Sequence, residues 1–140
     1  MAETENSLSD MLDREAIRDL VVRYCDAIWR NDIAEVVDLF TADGSMEALN
    51  GPIAGKAAVG HEQLHAFYVG GVKTMTPRPF AHNHVVDLDG NERATGRVYV
   101  ELRSSVDYSW ITAVIYVDEY ARVDGKWRIR RRQAEMQNVA

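Results

Sequence analysis

The sequence predicts a single α+β domain, cone-shaped, with three N-terminal helices packed on a strongly curved antiparallel or mixed sheet. Helical periodicity dominates the first half of the chain, and β-branched and aromatic residues dominate the second half. Short turn signals such as Asp89-Gly90 and Asp124-Gly125 divide the second half. Helices followed by runs of strands are typical of α+β domains. The 140 residues fit one domain over residues 9–140, with a flexible tail at 1–8.

The first helix is predicted from Arg14 to about Arg30. Apolar side chains recur there at three- and four-residue steps and form one face: Ile17, Leu20, Val21, Tyr24 and Ile28. Asp13 precedes this pattern and is predicted to cap the helix N-terminus, because a carboxylate there can accept free backbone N–H groups.

Two shorter helices and a strand follow. The pattern predicts a helix from about Ile33 to Phe40, a strand near Ser45–Leu49 and a helix from Lys56 to Tyr68. Asn50-Gly51 is a turn signal, and Gly70-Gly71 is expected to end the third helix.

The remaining residues predict four strands joined by short connections. The strands are His82–Leu88, Arg93–Ser104, Tyr108–Val123 and Lys126–Gln137. Short connections favour consecutive antiparallel hairpins. A curved sheet covered by helices on one side leaves a hollow between the two layers, and such hollows are candidate ligand sites.

Composition narrows the function classes. The formal net charge is −6, from 22 acidic and 16 basic residues, which argues against a nucleic-acid partner. The only basic cluster, Lys126 to Arg132, overlaps a predicted strand and is interpreted as a solvated face. No apolar run reaches the ~18 residues of a membrane span, so no membrane partner is expected. With Cys25 as the only cysteine and no signal-peptide pattern at the N-terminus, a cytoplasmic protein is expected.

Five strings in order resemble the SnoaL-like group of the nuclear-transport-factor-2-like superfamily. They are Asp13–Leu20, Arg23-Tyr24, Leu39–Gly44, Tyr116–Tyr120 and Gly125–Ile129. The similarity covers about residues 10 to 135. It implies the cone-shaped fold and its pocket, but fold alone does not define a function.

The resemblance also implies where chemistry would lie. Dehydratases of this group, such as scytalone dehydratase, and a dehydrochlorinase of hexachlorocyclohexane share an Asp–His pair that removes a proton from carbon. By comparison with the family strings, Trp29 stands at the Asp position and Pro79 at the His position. Neither side chain accepts a proton. The resemblance therefore implies a pocket without this pair, and no catalytic residue, cofactor or metal is predicted.

Other candidate groups have simpler explanations. Asp26 lies opposite the apolar helix face and is expected to pair with Arg30 at the surface. His82 and His84 alternate with Pro79 and Asn83, so strand parity places both imidazoles on the outer sheet face, unless a bulge near Pro79 reverses it. One of them could then act as a base. A His-x-His metal site is a third alternative, but no third ligand is evident.

His61 and His65 are expected to form a solvated stripe on the third helix, and Cys25 a buried, inert thiol. Tyr24 is expected in the core with its hydroxyl toward the cavity. The predicted pocket is aromatic and poor in ionisable groups, lined by Tyr24, Trp29, Phe67, Pro79, Phe80, Asn83 and Tyr99.

Three functions remain open. The leading hypothesis is binding of a small hydrophobic molecule of aromatic, steroid or polyketide-like character. The second is a cofactor-independent lyase, isomerase or cyclase that uses Tyr24 and one histidine. The third is a structural role as a homodimer formed through the sheet face.

Overall fold

Three helices cover one face of a six-stranded mixed sheet, which confirms the predicted α+β class. The computed structural model describes residues 2–137, with side chains from residue 7 onward. The elements are α1 (Ala2–Trp29), α2 (Ile33–Asp38), β1 (Phe40–Ala48), β2 (Ala57–Val59), α3 (Gly60–Met75), β3 (Pro77–Asp89), β4 (Arg93–Ser104), β5 (Trp110–Val123) and β6 (Lys126–Met136). The strand order is β2-β1-β6-β5-β4-β3, with β1 and β6 parallel and the other pairs antiparallel.

The apolar face of α1 is buried as predicted. Its members are Ile17, Leu20, Val21, Tyr24 and Ile28, each no more than 5% exposed. The helix begins at Ala2, however, so Asp13 lies inside it, and the prediction of an N-cap at Asp13 is wrong. The Asp13 carboxylate is instead buried under the last hairpin of the sheet, where it accepts from Arg122 and Trp127.

Helix α2 is short because a buried strand begins directly after it. It ends at Asp38, and β1 starts at Phe40, earlier than the predicted strand near Ser45–Leu49. At the start of α2 the Asp32 side chain accepts from the backbone N–H of Glu35 at 3.1 Å, which satisfies one of the free N–H groups of the first turn.

Helix α3 passes through Gly70-Gly71 and ends at Met75, so the predicted break at these glycines is wrong. Each glycine costs a helix about 1 kcal/mol relative to alanine. Burial of Leu64 and Tyr68 against the sheet offsets that cost. The start also moves, from Lys56 to Gly60, because Ala57–Val59 pair with β1 as strand β2.

Two irregularities in the sheet decide which side chains face the helices. The register of β3 on β4 shifts between Ala81 and His84. In the pairing of β5 with β6, Glu119 lies opposite Arg131 and Tyr120 lies opposite Ile129. Arg130 is therefore an extra residue in β6. A β-bulge reverses the alternation of faces. Hereafter the inner face is the face covered by the helices, and the outer face is the opposite one.

The core lies between the helices and the inner face. It includes Leu64 of α3, Val98 of β4 and Ile129 of β6, all fully buried. Pro77 and Pro79 are accommodated in β3 because this is an edge strand, where a missing backbone N–H costs no ladder bond. None of the helices in the described chain is long and apolar enough to cross a membrane.

Candidate functional site

A buried ion pair lies at the centre of the inner face. Arg132 Nε donates to Asp118 Oδ1 at 2.8 Å, and Arg132 Nη2 donates to Asp118 Oδ2 at 2.7 Å. Both side chains are 0% exposed. The extra residue Arg130 turns Arg132 inward, so the prediction that the whole basic cluster forms a solvated strand face is wrong for Arg132. Such a pair is retained in a low-dielectric interior only when its geometry offsets the cost of desolvation.

The guanidinium of Arg132 packs against two tyrosine rings, which meet each other edge to face. Its Cζ atom is 4.4 Å from the ring centroid of Tyr24 and 4.3 Å from that of Tyr116. The hydroxyl of Tyr24 donates to that of Tyr68 at 2.9 Å. Burial raises the pKa of all three tyrosines above the usual value, so their hydroxyls stay protonated.

One donor of this cluster has no hydrogen-bond partner. Arg132 Nη1 is buried, and no acceptor for it lies within the described residues. A buried donor left without an acceptor costs about 1–3 kcal/mol, and more when it is charged. An unpaired guanidinium N–H at this position is therefore a place where a ligand oxygen would be stabilised.

His84 extends the cluster toward the surface. Tyr120 donates its hydroxyl hydrogen to Asp118 Oδ2 at 2.7 Å, and His84 Nε2 lies 3.0 Å from the same hydroxyl. The outward direction expected from strand parity is wrong for His84, and the alternative of a bulge near Pro79 is the one observed: the register shift in β3 turns His84 to the inner face. Partial burial, and to a lesser degree the charge of Arg132, lowers the pKa of His84 to about 4.

This arrangement corrects the expected character of the interior. The inner face was predicted to be poor in ionisable groups, but it carries Asp118, Arg132 and His84. The predicted core position of Tyr24 is confirmed, since only 1% of it is exposed. Phe67 lies at the margin of the core, with its ring centroid 5.5 Å from that of Tyr68.

Trp29 and Pro79 are in direct contact at the edge of the sheet. Trp29 Nε1 donates to the backbone carbonyl of Pro79 at 2.8 Å. The Trp29 ring also meets the edge of the Phe80 ring, with centroids 5.3 Å apart, and the guanidinium of Arg78 lies 5.1 Å from its centroid. These contacts fix the end of α1 against strand β3.

The other three predicted pocket residues are exposed. Phe80 is 36% and Tyr99 37% exposed, and Asn83 is also exposed. Tyr99 lies on the outer face, the opposite side of the sheet from Tyr24, in a groove of about 430 Å³ that also contains His82 and Trp110. The structure therefore divides the seven predicted residues between the two faces, and their role in ligand binding stays a prediction.

The remaining histidines serve local structure. His82 points outward as expected and lies 3.6 Å from Glu101. His61 Nε2 is 3.1 Å from the carbonyl oxygens of Phe40 and Thr41, so the expected solvated stripe is wrong for His61. His65 is exposed, in agreement with the prediction. Within residues 7–137 no three His, Cys, Asp or Glu side chains are placed to hold a metal ion.

Two further candidates behave as predicted. Asp26 accepts from Arg30 at 3.0 Å in an exposed i,i+4 pair. Burial raises the pKa of Cys25 to about 11, so its thiol is protonated at neutral pH and a poor nucleophile.

A second cleft, of about 820 Å³, lies between the α1–α2 turn and the end of α3. Its walls include Arg30, His65 and Lys73, and its lining also includes Ile33 and Val72. Ile33 belongs to the hydrophobic core, and Val72 packs against that core. The cleft therefore connects the surface to the margin of the layer between helices and sheet.

Sequence reasoning missed the central residues of the interior. One signal was available: Tyr116, Asp118 and Tyr120 alternate in a predicted strand, so all three must share a face. No local signal marks the extra residue Arg130, whereas Pro79 indicated that a bulge before His84 was possible. The pairing of Asp118 with Arg132 was therefore not predictable.

The helix-covered mixed sheet, with polar groups on its inner face, has the architecture of the cystatin-like fold. The sequence profile of the SnoaL-like domain family matches residues 9–133, and the chain belongs to this family. No match was found among the curated proteins.

Solved structures show the same fold at low identity. A nuclear-transport-factor-2-like protein with a cystatin-like fold from Novosphingobium aromaticivorans has a TM-score of 0.84 at 19% identity, covering 100% of this chain and 92% of its own. LinA has a TM-score of 0.80 at 20% identity, covering 94% and 90%. A protein of N. aromaticivorans provisionally named scytalone dehydratase has 0.78 at 21%, covering 94% and 88%.

Proposed function

We propose that the protein binds a small, hydrophobic, ring-bearing molecule between its helices and the inner face of the sheet. The observation that carries this proposal is Arg132 Nη1, a buried and charged donor without an acceptor among the described residues. A ligand oxygen at this nitrogen would remove the cost of the unpaired N–H. Members of the SnoaL-like family bind small hydrophobic molecules or act as lyases and isomerases.

The side chains around this donor favour a ring over an open chain. Tyr24, Tyr68 and Tyr116 offer aromatic edges and faces to a ring. In the proposal Tyr24 and Phe67 contact the ring, and Trp29 and Pro79 close the end of the site. The cleft with Ile33 and Val72 in its lining is the proposed entrance.

The test compares 2-naphthol with naphthalene by isothermal titration calorimetry. We expect 2-naphthol to bind at least about tenfold more tightly, because only its oxygen can accept from Arg132, and one such bond contributes about 1.5 kcal/mol. Arg132→Met should remove the difference, whereas Arg131→Met, a change at an exposed neighbour, should preserve it. Equal affinities for the two compounds, or binding of neither, would overturn the proposal.

A variant that keeps the ion pair guards against misfolding of Arg132→Met. Tyr68→Phe removes the hydroxyl that accepts from Tyr24, whose ring contacts the guanidinium, and preserves the aromatic ring of residue 68. We expect Tyr68→Phe to fold, to bind naphthalene as before, and to change the affinity for 2-naphthol. If the affinity for both compounds is unchanged in Tyr68→Phe, the ligand does not lie beside Tyr24 and Tyr68.

A second candidate function is proton transfer at carbon, with His84 as the base. The inward direction of His84 favours it. The lowered pKa, about 4, counts against it, since a base works best when its pKa is near the working pH. Hydrogen–deuterium exchange at the α-carbon of 2-tetralone, followed by NMR, decides between the two. Acceleration that His84→Gln abolishes would support an enzyme; exchange at the rate of buffer alone would exclude this reaction.

The outer face is the proposed surface for a homodimer. It exposes Tyr99, Trp110 and Val117, together with Val85 of the edge strand. Large exposed apolar side chains on one sheet face favour an interaction site, with Arg97 placed between Val85 and Val117. Light scattering should show a dimer that Tyr99→Glu weakens, and a wild-type monomer at all concentrations would contradict it. We also propose that the protein is cytosolic and binds no nucleic acid.

A further inference from the structure

The hydrogen bonds of Asp118 determine which atom donates in the two contacts that link Asp118, Tyr120 and His84. Asp118 accepts from two nitrogens of Arg132, which is the pattern of an ionised carboxylate. An ionised carboxylate has no hydrogen to donate. The 2.7 Å contact between Asp118 Oδ2 and the Tyr120 hydroxyl must therefore be made by the hydrogen of Tyr120.

The hydroxyl of Tyr120 in turn determines which nitrogen of the His84 imidazole carries a hydrogen. A tyrosine hydroxyl has one hydrogen, and that of Tyr120 is used on Asp118. The 3.0 Å contact with His84 Nε2 can then exist only if Nε2 carries a hydrogen and donates it to the Tyr120 oxygen. In neutral histidine the other nitrogen, Nδ1, then carries the lone pair.

We infer that Tyr120 is a positioning residue that holds His84 in its Nε2–H form and so presents Nδ1 as a hydrogen-bond acceptor to a ligand. Nδ1 makes no hydrogen bond to another described residue, and the His84 side chain is only partly buried. The ligand class is thereby narrowed: it bears a hydroxyl or N–H donor in addition to its oxygen acceptor. This ligand part rests on the proposed function, but the tautomer does not.

Partial burial lowers the pKa of His84 and so keeps Nδ1 free of a second proton at neutral pH. Asp118 favours protonation of the imidazole, while Arg132 and Arg18 of α1 oppose it, and partial burial opposes it most strongly. A neutral imidazole at this position is an acceptor at Nδ1 and not a second cation beside Arg132.

Gly96 of β4 leaves space for the Tyr120 side chain, which links Asp118 to His84. A Cβ atom at Gly96 would lie 3.0 Å from Tyr120 Cε2 and 3.2 Å from the Tyr120 hydroxyl oxygen, and only 2.6 Å from the carbonyl oxygen of Val85. A side chain there would displace the Val85 backbone and crowd the Tyr120 ring and hydroxyl. The absence of a side chain at Gly96 therefore keeps the hydroxyl between Asp118 and His84.

The tautomer is measured directly by two-dimensional ¹H–¹⁵N NMR of protein labelled with ¹⁵N-histidine, without ligand. For His84 we expect a protonated Nε2 and an unprotonated Nδ1. Tyr120→Phe should fold, since it keeps the ring, and should shift His84 toward a mixture of both neutral forms. Tyr99→Phe, the same change on the outer face, should leave the His84 signals unchanged. A protonated Nδ1 in the wild type, or an unaltered His84 in Tyr120→Phe, would overturn the inference.

The ligand class is tested by comparing 2-naphthol with 2-methoxynaphthalene, which keeps the oxygen acceptor and lacks the donor. We expect 2-naphthol to bind about tenfold more tightly, as one hydrogen bond allows, and expect the preference to fall in Tyr120→Phe. Equal binding of both compounds would reject the required donor and leave the proposed oxygen site standing. Binding of neither would reject the proposed function, while the NMR result would still decide the tautomer.

Discussion

Asp13 on the first helix and Arg122 on the fifth strand form an ion pair across 109 positions of the chain, with 2.6 Å between Arg122 Nη2 and Asp13 Oδ1. Trp127 Nε1 donates to the same oxygen at 3.2 Å. Only 4% of the Asp13 side chain is exposed. One carboxylate thus holds the start of the domain to its last hairpin.

Asp13→Ala is expected to lower the free energy of unfolding by about 1.5–3 kcal/mol, because it removes the charged acceptor of the buried Trp127 N–H and of the partly buried Arg122 guanidinium. The matched control is Asp19→Ala, which removes an exposed ion pair with Arg23 on the same helix. That variant should change the free energy of unfolding by less than about 1 kcal/mol. Urea denaturation measures the free energy of unfolding of both variants. Equal losses would show that the buried Asp13 contacts stabilise the protein no more than an exposed ion pair does.

Arg132→Met is expected to destabilise the protein by about 3–5 kcal/mol, since it leaves Asp118 charged and buried without its partner. Adding Asp118→Asn should recover most of the loss, because asparagine is neutral and can still accept from Tyr120. Thermal and urea unfolding of the two single variants and the double variant measure the coupling. Additive effects would mean that the two side chains do not act as a pair.

Gly96→Ala is expected to destabilise the fold by about 1–3 kcal/mol, because its Cβ atom would overlap the Val85 carbonyl and crowd Tyr120. Gly70→Ala is the control: nothing lies within 4 Å of a Cβ atom there, and the position is helical. Alanine at 70 should stabilise the protein by about 0.5–1 kcal/mol. A Gly96→Ala protein as stable as the wild type would show that the Val85 backbone and Tyr120 accommodate a methyl group without cost.

His84 should make stability depend on pH in the weakly acidic range. Its pKa is about 4 in the folded protein, against an ordinary value of 6.5, so the unfolded chain binds a proton first as the pH falls. Stability is therefore complete above pH 6.5 and is lost progressively as the pH falls toward 4.

Replacement of His84 by Gln should flatten this part of the profile of unfolding free energy against pH. His65→Gln removes an exposed histidine from α3 and is the control for changing the histidine count. An identical profile for the wild type and His84→Gln between pH 7 and 4 would show that His84 is not shielded by the fold.

The parts of the fold that periodicity encodes were predictable from the sequence. The buried stripe from Ile17 to Ile28 follows from helical spacing, and the alternation in β4 from strand spacing. The extent of α3 was not predictable, because burial of Leu64 and Tyr68 overrides the local preference of Gly70-Gly71.

The candidate site was less predictable than the fold, because it depends on two one-residue irregularities. A single extra residue turns a whole strand segment to the other face. Arg130 thereby brings Arg132 inside, and the shift before His84 does the same for the imidazole. The same limit explains Asp13, whose partners Arg122 and Trp127 become neighbours only in the folded sheet.

The measurement that tests the central claim most directly is NMR mapping of the amide signals while 2-naphthol is added. If the molecule binds where we propose, signals of the inner layer, such as those of Tyr24, Leu64 and Val98, will shift with one common saturation curve. Signals of Tyr99 and Val117 on the outer face will move little. Shifts confined to the outer face, or none at saturating 2-naphthol, would contradict an interior binding site.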